Sequence, residues 1–242
     1  MLELFVDAEA PLSSSEVARR LRMPRTTALR ILLTLCEQGL LARSGNDFEP
    51  GGRLFRLGIR ALSSLRLRQF AVPILQRLAA QLGETTQLVT LLRTQGLVLE
   101  VCEGPRVVRI AQGPGALVDL HSSAAGKVLL AFGLRARLGA LVAQGLEART
   151  PNTLITLPEL EAETERILRL GYAVDDEECY EGVRCLAGPV WDASGGTRAA
   201  LGVIASASTF TRRQNQDFAR HVIAASRELS AAMGYDGPSP QA

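Results

Sequence analysis

The sequence predicts an α+β protein in two domains: a small one of short helices closed by a hairpin, and a larger one in which helices cover a sheet. Three observations predict it. The chain has 242 residues, long for one domain of ~100–200 residues and comfortable for two. Its charge is unevenly divided, with eleven arginines against seven acids in residues 1–68 and sixteen bases against eighteen acids in residues 69–242. Its apolar pattern changes near residue 70, from helical spacing alone to β-branched runs alternating with helical stretches.

A chain that is 47% hydrophobic and 21% charged buries a sizeable core, which sets aside disordered and collagen-like classes. Cys36, Cys102, Cys179 and Cys185 are widely spaced with no CxxC. That argues against a disulfide framework or zinc ribbon, and the expected compartment is the cytoplasm. The first eleven residues hold three acids and no base, the wrong sign for a signal peptide. The longest uncharged run, 199–211, is far short of the ~20 residues a membrane span needs, so no membrane partner is expected.

In the first part, Ser13, Ser14 and Ser15 offer N-caps for a helix over 16–21, with Glu16 placed as in a capping box. Arg22-Met23-Pro24 breaks it, because proline disfavours a helical residue before itself yet suits the first turn of a new helix. A second helix therefore begins near Pro24. Its core stripe is Ala28, Ile31, Leu32 and Leu35, with Thr26, Arg30 and Glu37 opposite. Gly39 stops it, and 40–50 reads as a two-stranded hairpin around a Gly-Asn-Asp turn. Helix, tight turn, helix and hairpin is the order of a winged helix-turn-helix. Five arginines against one acid in 16–30 give it the footprint of a polyanion binder. The residues expected at DNA are Ser14, Arg25, Thr26, Thr27 and Arg30, with Arg43 on the wing.

Gly51-Gly52 opens a further helical stretch, 53–68, whose apolar positions Leu54, Leu57, Gly58, Ala61, Leu62 and Leu65 must be covered by the first domain or by a second copy. Beyond it the pattern predicts a helix at 71–82, strands at 86–92, 97–102 and 107–111, and helices at 123–132 and 158–170. Strands follow at 172–175, 186–191 and 198–206, and the last helix at 212–233. The domains are expected at 1–52 (DNA binding), 53–70 (linker helix) and 71–236 (effector binding), with 237–242 a disordered tail.

Seven groups of residues, in order, make the chain from Met1 to about Tyr235 resemble the isocitrate-lyase-regulator (IclR) family of bacterial transcription factors. Ser15-Glu16-Val17-Ala18, Pro24 to Leu32 and Glu37-Gln38-Gly39-Leu40 match its DNA-binding half. Gly83-Glu84-Thr85, His121 to Lys127, Gly171 to Glu178 and Gly182 to Val190 match the other. The resemblance implies a winged helix, a linker helix and a GAF-like α/β effector-binding domain. It implies a homodimer or homotetramer on a palindromic double-stranded DNA operator, answering to a small metabolite. Relatives usually carry two more helical turns ahead of the position of Met1, so Leu2, Leu4 and Phe5 are expected to supply that packing alone.

The Gly126-Lys127 pair is not a phosphate loop, since His121 and Val128 stand where glycine and Ser or Thr are needed. Gly113-Pro114-Gly115 lacks the third glycine of a dinucleotide fingerprint. With two distant histidines and an acidic run, 175–178, that alternates sides if extended, no metal, cofactor or catalytic residue is expected. The segment from Ser123 reads instead as a capped helix start whose backbone N–H groups can hold a carboxylate. The resemblance adds to Ser123, Ala124 and Ala125 a pocket wall of Asp175, Cys185, Gly202 and Ile204. Carboxylate-binding relatives tend to carry serines at the last two positions, so the expected effector is a small organic acid with an apolar or aromatic body. The reading is a repressor rather than an enzyme. The alternative is an enzyme acting on a small carboxylate behind a helical module, and against it this half offers no acid/base pair.

Overall fold

The computed structural model describes residues 1–6, 8–64, 66–106 and 113–237, with backbone alone at 61–64. The strand expected at 107–111 and the tail from 238 onward lie outside the described residues. The chain divides into two compact units, Met1–Leu65 and Arg66–Ala242. No helix among the described residues is long and apolar enough to cross a membrane.

In the first unit a 3-10 turn, Leu2–Phe5, leads to β1 (Leu12–Ser13), α1 (Ser14–Arg20), α2 (Arg25–Glu37), β2 (Leu41–Ser44), β3 (Asp47–Pro50) and α3 (Gly52–Ser64). Of the three serines, Ser13 is the cap: its Oγ accepts the Glu16 N–H at 3.2 Å. Arg22, at φ 51, makes the left-handed step that Pro24 then turns into a helix start. Val17, Ala28, Leu32, Leu41 and Phe48 close the core, and Phe5 from the 3-10 turn packs with them. The hairpin is a three-stranded sheet in order β1-β3-β2, because Leu12 and Ser13 pair with Phe48 and Asp47. Two residues carry no periodicity, so β1 left no trace in the sequence pattern.

The second unit is one antiparallel six-stranded sheet covered on both faces. Its elements are α4 (Arg66–Leu82), β4 (Thr85–Leu92), β5 (Gln95–Cys102), β6 (Leu117–Val118), α5 (Ala124–Gly133), α6 (Leu138–Ala143), α7 (Leu157–Leu170), β7 (Ala173–Asp176), β8 (Val183–Trp191), β9 (Thr197–Ser206) and α8 (Asn215–Ala232). The strand order is β6-β5-β4-β9-β8-β7. Central β9 alternates: Ala199, Leu201, Val203 and Ala205 join the core under α4 and α8, while Ala200 joins the one under α5. A strand buried on both faces reads as an unbroken apolar run, as 199–205 does.

Two helix boundaries differ from the sequence pattern. The helix expected at 53–68 is described as α3 over Gly52–Ser64, and the helix expected from 71 already runs from Arg66 and continues through Pro73. The proline is accommodated in that helix, with the loss of the one backbone bond its nitrogen cannot donate. The six-residue α6 was too short to announce itself.

Trp191, the only tryptophan, ends β8 between the rings of Phe132 and Tyr235, at centroid distances of 5.9 and 5.3 Å. At Gly126 any side chain is excluded, because a Cβ would stand 2.2 Å from the Asp119 carbonyl oxygen.

Lys127 follows that close approach, and only 2% of it is exposed. Its Nζ donates to the Val174 carbonyl at 2.7 Å and to Glu178 Oε1, and meets Glu163 Oε1 at 3.1 Å. All three ammonium protons are used. The ion thus joins α5, α7 and the turn after β7. Arg166 adds a two-bond clasp on Glu163, at 2.6 and 2.7 Å. Together with Lys127 it holds the Glu163 carboxyl below its usual range, although burial alone pushes upward.

Lys127→Met should therefore destabilise the second unit by about 3–5 kcal/mol, since it strands two buried carboxylates. Adding Glu178→Gln should recover part of the loss. Urea denaturation of the single and double variants measures both, and simple additivity of the two losses would contradict the assignment.

Candidate functional site

Two places carry the polar chemistry. The first is the outer face of α2. Ala28 and Leu32 are fully buried, which turns Arg25, Thr26 and Arg30 to solvent and leaves Thr27 half-buried. Ser14 behaves differently from its neighbours in the list of expected contacts. It is only 6% exposed, and its Oγ accepts a long bond, 3.4 Å, from Arg25 Nε. The structure thus gives it the geometry of a group that steadies Arg25. Arg43 is exposed on β2, directly across from buried Phe48 of β3. Leu29 and Leu33, 37% and 38% exposed, share the outer surface of α2. Their signal in the sequence was that both fall off the 28/31/32/35 stripe.

The second place is a cavity at the start of α5, between that helix and the sheet. Ser123 caps the helix: its Oγ accepts the Gly126 N–H at 3.0 Å and donates to the Asp119 carbonyl at 2.7 Å. The amides of Ala124 and Ala125 belong to the first turn, which has no intrahelical acceptor. Ser123, Ala124, Asp175, Cys185 and Ile204 line the cavity, as expected from the sequence; so do Gln87, Val118, Cys179, Tyr180 and Val183, which were not. Ala125 and Gly202 are not in the wall. Ala125 packs into the core beneath α5. Gly202 has a packing reason of its own, since a Cβ there would lie 2.9 Å from the Leu186 carbonyl oxygen.

The wall is less apolar than the sequence suggested. Gln87 Oε1 and Asp175 Oδ2 are both buried without a hydrogen-bond partner. Asp175 Oδ1 accepts the backbone N–H groups of Glu178 and Cys179 at 2.7 and 3.3 Å. Burial pushes the Asp175 carboxyl up to about 6, against the pull of Lys127 and of those N–H bonds. Glu178 is likewise pushed up to about 7 by burial, again against Lys127. Burial and the Asp175 charge push the Cys179 thiol up to about 11 and that of Cys185 well above its ordinary range. Thiols so raised are poor nucleophiles. The acidic run does converge, contrary to the alternation expected of an extended chain. β7 ends at Asp176, and Glu177 at φ 62 turns the chain, so Asp175 and Glu178 both come near the Lys127 ammonium.

The cavity is small, about 20 Å³, little more than the ~10–15 Å³ one water occupies. Its cover is the turn between β7 and β8. That turn runs from Glu177 to Gly182, and both carry positive φ. Tyr180, half exposed, is its outermost side chain on the cavity.

Comparison with known proteins finds two family models along the chain. Residues 59–231 match the family model for the bacterial transcriptional regulator IclR C-terminal domain, and residues 1–45 that for the IclR helix-turn-helix domain. The transcriptional repressor IclR of Escherichia coli is 28% identical over 239 residues, 97% of this chain and 87% of that protein. Among solved structures, the Thermotoga maritima IclR is 29% identical with a TM-score of 0.74, over 97% of this chain and 96% of that one. An IclR homologue from Microbacterium hydrocarbonoxydans, solved in complex with 4-hydroxybenzoate, shares the fold at a TM-score of 0.83 and 24% identity, over 96% and 95% of the two chains. Proteins of this kind regulate transcription by binding DNA and are not enzymes. This chain belongs to the IclR family of bacterial transcriptional regulators.

Proposed function

We propose that this regulator is a cytoplasmic repressor that reads a palindromic operator as a homodimer or homotetramer and responds to a small organic acid held at the start of α5. Arg25, Thr26, Thr27 and Arg30 meet base edges and phosphates in the major groove, Ser14 steadies Arg25, and Arg43 meets phosphate beside it. Exposed apolar residues on α3 support assembly: Leu57, from the expected stripe, is 54% exposed, and Phe55 and Ile59, off it and one turn apart, are 70% and 51% exposed; a second copy is the occupant that also matches a two-fold operator. On this reading DNA binding lies in 1–52, a helical connection in 53–70 and effector binding in 71–236.

One observation carries the effector: two buried acceptors, Gln87 Oε1 and Asp175 Oδ2, with no donor, on the wall of a cavity at a helix N-terminus. A ligand whose carboxylate meets the Ala124 and Ala125 amides and whose hydroxyl donates to one of those oxygens satisfies both ends. Val118, Val183 and Ile204 supply an apolar middle for a ring. An aromatic hydroxy acid has that layout, and 4-hydroxybenzoate in the Microbacterium homologue is one such molecule. Because the cavity is nearly closed, the ligand must lift Tyr180 and its turn. Its leverage on the operator is then its preference for the opened state.

A cognate operator, selected from random duplexes, should bind Arg25→Ala and Arg30→Ala about one to two orders of magnitude more weakly than the parent chain by fluorescence anisotropy. Equal affinity in both variants would refute the recognition-helix assignment. In sedimentation, Leu57→Glu should shift the protein toward monomer at micromolar concentration while the parent remains assembled.

Asp175 gives the effector reading a pH signature. Its ionised form accepts the ligand's hydroxyl more strongly than the protonated form does, while the ligand's carboxylate lies at the far end of the ring. Affinity for 4-hydroxybenzoate should therefore rise, by up to about tenfold, as pH rises through about 6. Asp175→Asn should flatten the profile. Calorimetry at pH 5.5 to 7.5 decides it, and a pH-independent affinity in the parent chain would count against the site.

A further inference from the structure

A second cavity lies at the other end of α5, against the turn between β4 and β5, and it is about 200 Å³. That is more than ten times the space one water needs, and ten times the volume of the cavity at the start of the helix. Leu120 and Leu130, each 2% exposed, form its floor, and half-buried Leu134 and Leu141 its sides. The rim is polar, with Thr94, Gln144 and Arg137 all exposed.

The charge at that rim is unbalanced. No carboxylate lines the cavity. The nearby arginines have acids of their own: Arg135 pairs with Glu165, and Arg149 with Asp119 and Glu147. Arg137 has no ion pair or hydrogen bond among the described residues. It sits two residues from Arg135 in a single 3-10 turn, Arg135–Arg137. At three residues per turn the two side chains point to different sides, one toward α7 and the other toward the cavity. A dry apolar chamber of this kind takes an apolar body, and a planar cation at its mouth takes a carboxylate in two parallel bonds.

We propose that this cavity is a second ligand site, distinct from the one at the start of α5, for a monocarboxylate with a flexible or planar apolar body of about six to eight carbons. The acid head pairs with Arg137 and the body lies on Leu120, Leu130, Leu134 and Leu141. Such a ligand carries no hydroxyl, so it leaves Gln87 Oε1 and Asp175 Oδ2 of the first cavity unsatisfied and is disfavoured there. The two sites therefore sort acids by whether the far end is polar or apolar.

The probes are butyrate, hexanoate, octanoate and the neutral octanamide, titrated calorimetrically into the full chain. Affinity should rise with length, at roughly fourfold per buried methylene, and octanoate should exceed octanamide. Arg137→Ala should weaken octanoate by at least about tenfold and abolish its advantage over the amide. Ala140→Phe, an exposed position on the cavity wall, should weaken it by filling the chamber with the charge kept. Asp175→Asn, which alters only the first cavity, should leave octanoate unchanged. Unchanged octanoate affinity in Arg137→Ala, loss in Asp175→Asn alone, or no saturable binding up to about 10 mM would overturn the site. So would a change of oligomeric state in Arg137→Ala with octanoate binding intact, which would make the face a contact between copies.

Discussion

The second unit depends on one buried ammonium. Lys127 lies on α5, and its three contacts are with α7, with the end of β7 and with the turn that covers the cavity. An unpaired charge in that position would be intolerable, and a neutral side chain would leave two carboxylates facing each other. The geometry that admits it is set one residue earlier, where Gly126 lets the helix come within van der Waals reach of the Asp119 carbonyl. The ion also sets the electrostatics of its neighbours. Asp175 and Glu178 ionise later than carboxylates in water do, but earlier than their burial alone would dictate. The helix start that faces the cavity and the turn that closes it are thus tied to one point.

How much of this was legible depends on the range over which each signal acts. Caps and breakers act within four residues, and they marked α1, α2 and the hairpin well; at α7, which was read from its apolar spacing alone, Gly171 closes the helix at φ 78. Elements too short to repeat a period twice, β1 of two residues and α6 of six, gave no pattern to find. Pro73 sits inside α4, where the packing of Ala71, Ile74 and Leu75 outweighs a single missing bond.

The site was legible in part for the same reason. Ser123 announced itself as a cap beside small residues. Gln87 did not, because a lone amide within a β-branched run looks like an ordinary strand residue until its oxygen is found without a donor. The partners of Lys127 were out of reach: Glu163 and Glu178 lie on other elements, and no local periodicity records a contact across so many residues. The family resemblance supplied the pocket strands, and it also brought in Ala125 and Gly202, whose surroundings explain them through packing.

Trp191 gives the molecule a single indole, whose emission can be excited apart from that of the three tyrosines. Its indole sits where the end of α5, the last residue of β8 and the segment after α8 meet, edge-on to Phe132 and tilted on Tyr235. Emission from that indole therefore reports on one junction. A sliding of α5 along the sheet will alter the packing around that ring and register as a spectral change. Rearrangement confined to the DNA-reading unit, which contains no indole, will stay dark.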